Sequence, residues 1–167
     1  MSRVAAIGSC RVTAPAMAIR RAGVAVTRTG RRVYTINEIL ALIREASASS
    51  KKWVAADRFI VEISSLRKEM KNYKRYGKRE FVAGVKEISR ALKSPVLFVP
   101  NIYVVDPETN TGAENRRTIG EWIPSGLLKK DSFFNPSSII RWEHMKDRYH
   151  YNEEGDRIVS AALAKLL

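Results

Sequence analysis

Apolar residues follow two spacings along this chain, and the two alternate. Continuous runs stand at 3–7, 24–27, 58–63 and 96–99, each bounded by Gly, Pro or polar residues. Runs this short, rich in Val and Ile, predict strands buried on both faces. Between them the period changes to that of a helix. One helix runs from the turn after Gly8 to about residue 22, with Thr13 as its cap, Pro15 in its first turn and Gly23 ending it. A second covers 35–46, where Thr35 and Glu38 form a capping box and Ile36, Ile39, Leu40 and Ile43 share a face. Phe81, Val82, Val85, Ile88 and Leu92 give a third helix its stripe. One or two helical turns are expected over 116–122. A last helix spans 152–167, carrying Ile158, Leu163, Leu166 and Leu167. Residues 106–112 and 124–138 read as loops. Strands and helices in alternation predict one α/β domain over 1–167, a three-layer α/β/α sandwich around a small parallel sheet.

Composition narrows the class. With 45% hydrophobic and 28% charged residues the chain reads as a globular domain. No run approaches the roughly 18 apolar residues of a membrane span. One cysteine and two histidines give neither a disulfide framework nor a metal cluster, and no cofactor is expected. The net charge of +13 favours weak, non-specific polyanion binding. No acidic residue precedes Glu38, whereas Arg3, Arg11, Arg20, Arg21, Arg28, Arg31 and Arg32 do. An Arg-rich, acid-free start also fits an organellar transit peptide. The strands at 3–7 and 24–27 argue against that, and a cytoplasmic location is the expectation.

Candidate chemistry gathers where a parallel sheet places it, beyond the C-terminal ends of the strands. Gly8-Ser9-Cys10 follows the first strand, Ser64-Ser65 the third and Asn101 the fourth, while Asp147 and His150 precede the last helix. A Ser at a strand-to-helix turn sits near helix-start N–H groups that can hold an oxyanion, and Gly8 permits close approach. In this reading His150 takes the proton of Ser9, and Asp147 orients His150. Alone, a Gly-Ser turn and an Asp-x-x-His step are an ordinary turn and an ordinary cap; together on one sheet edge they make a constellation. Cys10 is the rival nucleophile, a thiol near a helix start and Arg11. His144 is a second candidate base, though Trp142-Glu143-His144 reads as a loop packed beside the site. Arg116 and Arg117 offer forked guanidinium groups for a carboxylate or phosphate.

The two end blocks resemble those of the SGNH/GDSL hydrolase superfamily. Gly8-Ser9-Cys10 stands in place of Gly-Asp-Ser, as in the GSCFA domain and, more loosely, in capsule polysaccharide biosynthesis enzymes with a Gly-Asn-Cys start. Asp147-Arg-Tyr-His150-Tyr-Asn-Glu-Glu-Gly155 is similar to the family's usual ending. The resemblance implies a flavodoxin-like sandwich and a serine esterase or acyltransferase acting on small-molecule or carbohydrate acyl esters. It carries the nucleophile to Ser9, the base to His150 and the acid to Asp147. The family's oxyanion donors include a Gly after the second strand and an Asn after the third. Here Gly30 comes several residues late, and Glu62-Ile63-Ser64-Ser65 holds no Asn. Ser64, Ser65 and the backbone of Ser9 or Cys10 are the substitutes.

A second function class rests on Lys68, Lys71, Lys74, Arg75, Lys78 and Arg79, with Tyr73 and Tyr76 among them. Basic residues interleaved with aromatics can bind an anionic polymer such as nucleic acid or polysaccharide. A solvated, charged surface is the plainer reading of the same stretch.

Overall fold

The computed structural model describes residues 3–12, 15–16, 25–110, 112 and 114–167. Five strands form one sheet in the order β2-β1-β3-β4-β5, every neighbouring pair parallel. They are β1 (Arg3–Ile7), β2 (Ala25–Arg28), β3 (Arg58–Ile63), β4 (Val96–Pro100) and β5 (Ser132–Phe133). The helices are α1 (Ile36–Ala48), α2 (Lys78–Ala91), α3 (Glu114–Trp122) and α4 (Glu153–Leu166). Residues 10–12 and 15–16 are also helical. The expected Thr13 cap, the Gly23 stop and the residues between 17 and 24 lie outside the described set. β5 was not expected, because its two residues are too few to show a period.

Successive side chains of the strands enter two separate cores. Ala5, Ile7, Phe59, Val61, Ile63, Val96 and Phe98 pack with α1, α2 and α3. Val4, Ala6, Ile60, Leu97 and Val99 pack with Val12, Ala16, Tyr151, Val159 and Leu163 on the other face. This is the three-layer arrangement: neither face of the parallel sheet meets water. Glu62 follows Ile60 by two and so belongs to the second face, the one shared with Val12, Ala16 and α4.

Local signals fix the helix starts. Thr35 Oγ1 accepts from Glu38 N at 3.0 Å, and Glu38 Oε1 accepts from Thr35 N at 3.0 Å. Asn152 Oδ1 accepts from Gly155 N at 2.9 Å and starts α4. α1 packs tightly on α2, since a Cβ at Gly84 would stand 2.8 Å from Ile36 Cγ2. Between β3 and α2 the basic stretch folds back on itself. Arg67 and Arg75 form an antiparallel bridge, Lys68 N donates to Lys74 O at 2.8 Å, and Tyr76 N to Leu66 O at 2.8 Å.

The C-terminal edge of the sheet is knitted together by backbone bonds. Val33 N donates to Gly8 O at 3.2 Å, Ser64 N and Ser65 N to Tyr34 O at 3.0 and 3.1 Å, and Asn101 N to Ile63 O at 3.1 Å. The chain therefore holds the turns after β1, β3 and β4 side by side.

Candidate active site

The turn after β1 is shaped by what lies beneath it. Gly8 has φ +151°, and a Cβ there would stand 2.8 Å from both Glu62 Cβ and Val12 Cγ1. Only a residue without a side chain lets the turn pass so close to Glu62 and Val12. Ser9 then points inward. It is fully buried, and its hydroxyl donates to Glu62 Oε1 in a short hydrogen bond. The same oxygen accepts from Ser64 Oγ at 2.6 Å and from Ser9 N at 3.4 Å. Glu62 itself is 2% exposed. A carboxylate so deeply buried needs hydrogen-bond donors around it; this turn supplies two and Ser64, after β3, the third. Ser9 Oγ also accepts from Arg11 N at 3.3 Å.

His150 and Asp147 form a pair at the surface. Both Asp147 carboxylate oxygens lie 3.0 Å from His150 Nδ1. Asp147 Oδ1 also accepts from Tyr149 N at 2.7 Å and His150 N at 2.9 Å. These N–H groups, first that of Tyr149 and then His150, hold the Asp147 carboxyl below its ordinary range. The remaining ring nitrogen, Nε2, is the one available to exchange a proton.

The structure separates the predicted residues into two neighbouring cavities. One, of about 410 Å³, is lined by Cys10, Arg11, Lys146, Asp147, His150, Tyr151 and Asp156. The other, of about 460 Å³, is lined by Ser64, Ser65, Asn101 and Arg116, with Arg11, Tyr34, Arg67, Arg75, Asn115 and Tyr149 among the rest. Arg11 belongs to both. Ser9 lines neither of these two cavities, and no hydrogen bond joins it to His150 among the described residues. Gly30 (φ +99°) lines a distant cavity with Arg31 and Trp53. Arg117 lies on the exposed side of α3, paired with Glu114 and Glu121. His144 lines neither of the two cavities, and its Nδ1 accepts from Arg141 N at 3.0 Å.

Asn101 is buried at the floor between β3 and β4, and its Nδ2 donates to Ser64 O at 3.3 Å. Arg116 is half-buried. Its Nη1 donates to the carbonyls of Ile102 and Arg148 at 3.2 and 3.1 Å, and its guanidinium lies 4.7 Å from the Tyr149 ring centre. Burial, and then the positive charge of Arg11, bring Arg116 down to about 10. Tyr151 is pushed well up, first by burial and then by the Glu62 charge. The sequence reading did not single out Glu62 or Arg67 as site residues, and named Arg75 only within the basic stretch. For Glu62 a signal existed: one carboxylate inside an otherwise apolar strand of a sheet covered on both faces.

With this geometry in hand, comparison with solved structures is decisive for the fold. A point mutant of the acetyl-xylooligosaccharide esterase Axe2 from Geobacillus Stearmophilus superposes with a TM-score of 0.70, at 13% identity, over 98% of this chain and 93% of that one. The chain has the SGNH hydrolase fold. A protein of Slackia heliotrinireducens assigned to the SGNH hydrolases matches with a TM-score of 0.68 at 12% identity, covering 98% and 97% of the two chains. A carbohydrate esterase family 3 protein from Talaromyces cellulolyticus matches with a TM-score of 0.63 at 11% identity, covering 99% and 96%. No protein-family model and no curated protein matches the sequence. The likeness lies in the fold, as the low identities require, and it spans nearly the whole chain.

Proposed function

We propose that this chain is an SGNH-type ester hydrolase acting on small-molecule or carbohydrate acyl esters, with Cys10 as nucleophile, His150 as base and Asp147 orienting the base. The observation that carries the choice of nucleophile is the sharing of one cavity by Cys10, Asp147 and His150, while Ser9 is turned into the protein onto Glu62. Cys10 is also the third residue of Gly8-Ser9-Cys10, the place of serine in Gly-Asp-Ser. The carbohydrate class is favoured by what the similar folds are named for, acetyl-xylooligosaccharide and carbohydrate esterases.

The chemistry follows from that arrangement. His150 Nε2 accepts the Cys10 proton, and the thiolate attacks the ester carbonyl carbon. Arg11 on the same wall faces the oxygen as it becomes anionic. The carbon–oxygen bond to the alcohol breaks, and the imidazolium returns its proton to the departing alkoxide. His150 then deprotonates a water that attacks the thioester, which releases the acid and restores the thiol. A sugar hydroxyl in place of water would give acyl transfer.

Ser9 is the alternative nucleophile, and that route requires its hydroxyl to leave Glu62. Turnover of p-nitrophenyl acetate and acetylated xylooligosaccharide separates the two. Cys10→Ala and His150→Ala are expected to lose roughly 10²–10⁴ in kcat/KM, with iodoacetamide labelling at Cys10 suppressed by ester. Ser9→Ala is expected to keep most turnover. Loss in Ser9→Ala with Cys10→Ala unaffected, together with fluorophosphonate labelling of Ser9, transfers the role to Ser9. Failure to turn over any ester, combined with polyanion binding that falls steeply with salt, favours the non-catalytic binding module.

A further inference from the structure

Several surface arginines are paired with carboxylates: Arg31 with Glu45 at 2.6 Å, Arg117 with Glu121 at 3.2 Å, Arg148 with Asp106 at 3.6 Å. The four that line the larger cavity are Arg11, Arg67, Arg75 and Arg116. Among the described residues none of these four makes an ion pair, and no Asp or Glu lines the cavity.

Neutral groups hold the four in place instead. Arg11 Nη1 donates to Tyr149 O at 3.1 Å, Arg67 Nη1 to Met70 O at 3.3 Å, and Arg75 Nη1 to Asn115 Oδ1 at 3.2 Å. Arg116 is fixed by two carbonyls and by the face of Tyr149. A guanidinium oriented by carbonyls and an amide keeps its full charge available to a ligand, and its fork matches carboxylate and phosphate. Arg11 and Arg116 repel one another across this cavity. Glu62, beneath the floor, acts on Arg116 more weakly than Arg11 does, and its Oε1 already serves Ser9 and Ser64.

We propose that this cavity is the subsite for an anionic group of the ester substrate, a carboxylate or phosphate set apart from the scissile carbonyl. The proposal rests on the esterase reading, because Arg11 joins this cavity to the one that holds Cys10 and His150. It also gives the basic stretch between β3 and α2 a specific task. By folding back through the Arg67–Arg75 bridge, that stretch delivers two of the four arginines to the cavity. A space of about 460 Å³ suits one sugar-sized group rather than the track of a polymer.

Two substrate pairs test the charge and locate it. p-Nitrophenyl hydrogen succinate against p-nitrophenyl acetate places the carboxylate on the acyl side; an acetylated glucuronate against an acetylated glucose places it on the alcohol side. The charged member of at least one pair is expected to show at least tenfold higher kcat/KM. Arg67→Gln and Arg75→Gln, both on the folded-back stretch, are expected to remove most of that advantage through KM while neutral esters change less than twofold. Equal kcat/KM within both pairs, or a charge preference that survives both variants, overturns the proposal. Calorimetric titration with inorganic phosphate at low salt gives a readout without turnover, with Arg44→Gln as a control for the general positive charge. Phosphate binding that is lost in Arg67→Gln and Arg75→Gln but kept in Arg44→Gln, in a protein that turns over no ester, upholds the anion site and sinks the esterase reading. Turnover without charge preference and without arginine-dependent phosphate binding does the reverse.

Discussion

Glu62 shows how one residue can shape a site without lining it. Its carboxylate sits under Gly8, takes the hydroxyls of Ser9 and Ser64, and so decides which residue of the turn faces the cavity. Glu62→Ala would remove the acceptor shared by the Ser9 and Ser64 hydroxyls and open a hole beside Gly8. Each lost hydrogen bond costs about 1–3 kcal/mol, so the alanine variant should be destabilised by about 2–6 kcal/mol in urea unfolding. Glu62→Gln keeps an oxygen in place and should cost about half as much. Equal losses for the two variants would mean that bulk rather than hydrogen bonding is what Glu62 supplies. The sequence offered Glu62 only as an anomaly in an apolar strand. Which neighbours it serves depends on the register of β1 against β3, and that is a matter of three dimensions.

At the scale of elements, legibility followed length and period. β1, β3 and β4 stand out as buried runs, and α1 announces itself through Thr35 and Glu38. β5 is two residues, Ser132 and Phe133, held by register with Leu97 and Phe98 alone. α3 begins two residues earlier than the polar sequence indicated, at Glu114. The fold-back of 67–76 was hidden because its bridge pairs two arginines, a match no hydrophobic pattern reveals. The turn before α4 carries a pH signature of its own. The N–H groups of Tyr149 and His150 favour the charged form of Asp147, so its folded value lies below its unfolded one. Stability from this turn is therefore fully present above about pH 4, the unfolded carboxylate value, and disappears as pH falls through the lower folded value. A thermal-melting comparison of wild type with Asp147→Asn should show a gap near neutrality that closes in acid. A gap unchanged down to acid pH would show that the turn does not depend on that charge.

Across the whole molecule, a surplus of thirteen positive charges does not spread evenly in its consequences. Several outward-facing arginines are answered by carboxylates, while the four around the larger cavity make no ion pair among the described residues. Both cavities lie at the C-terminal edge of the sheet, as the strand order and the SGNH fold require. The sequence located that edge and the His150–Asp147 pair. It favoured Ser9 over Cys10, because which way adjacent residues of a tight turn point is set only once the backbone is built.

Cys10 is the protein's only sulfhydryl, and it lines an open cavity beside Arg11 and Lys146. Oxidants attack an accessible cysteine through its sulfur. A second cysteine is absent from the chain, so a sulfenic acid formed there has no internal thiol to capture it. Brief exposure to hydrogen peroxide should therefore silence ester turnover, and dithiothreitol should restore it until oxidation reaches the sulfinic acid. Cys10→Ser, whatever activity it retains, should be indifferent to peroxide. Peroxide-resistant turnover by the wild type would show that no step of the reaction passes through this sulfur. On this view the protein's working state depends on the redox conditions around it, through a single atom that nothing else in the chain can protect.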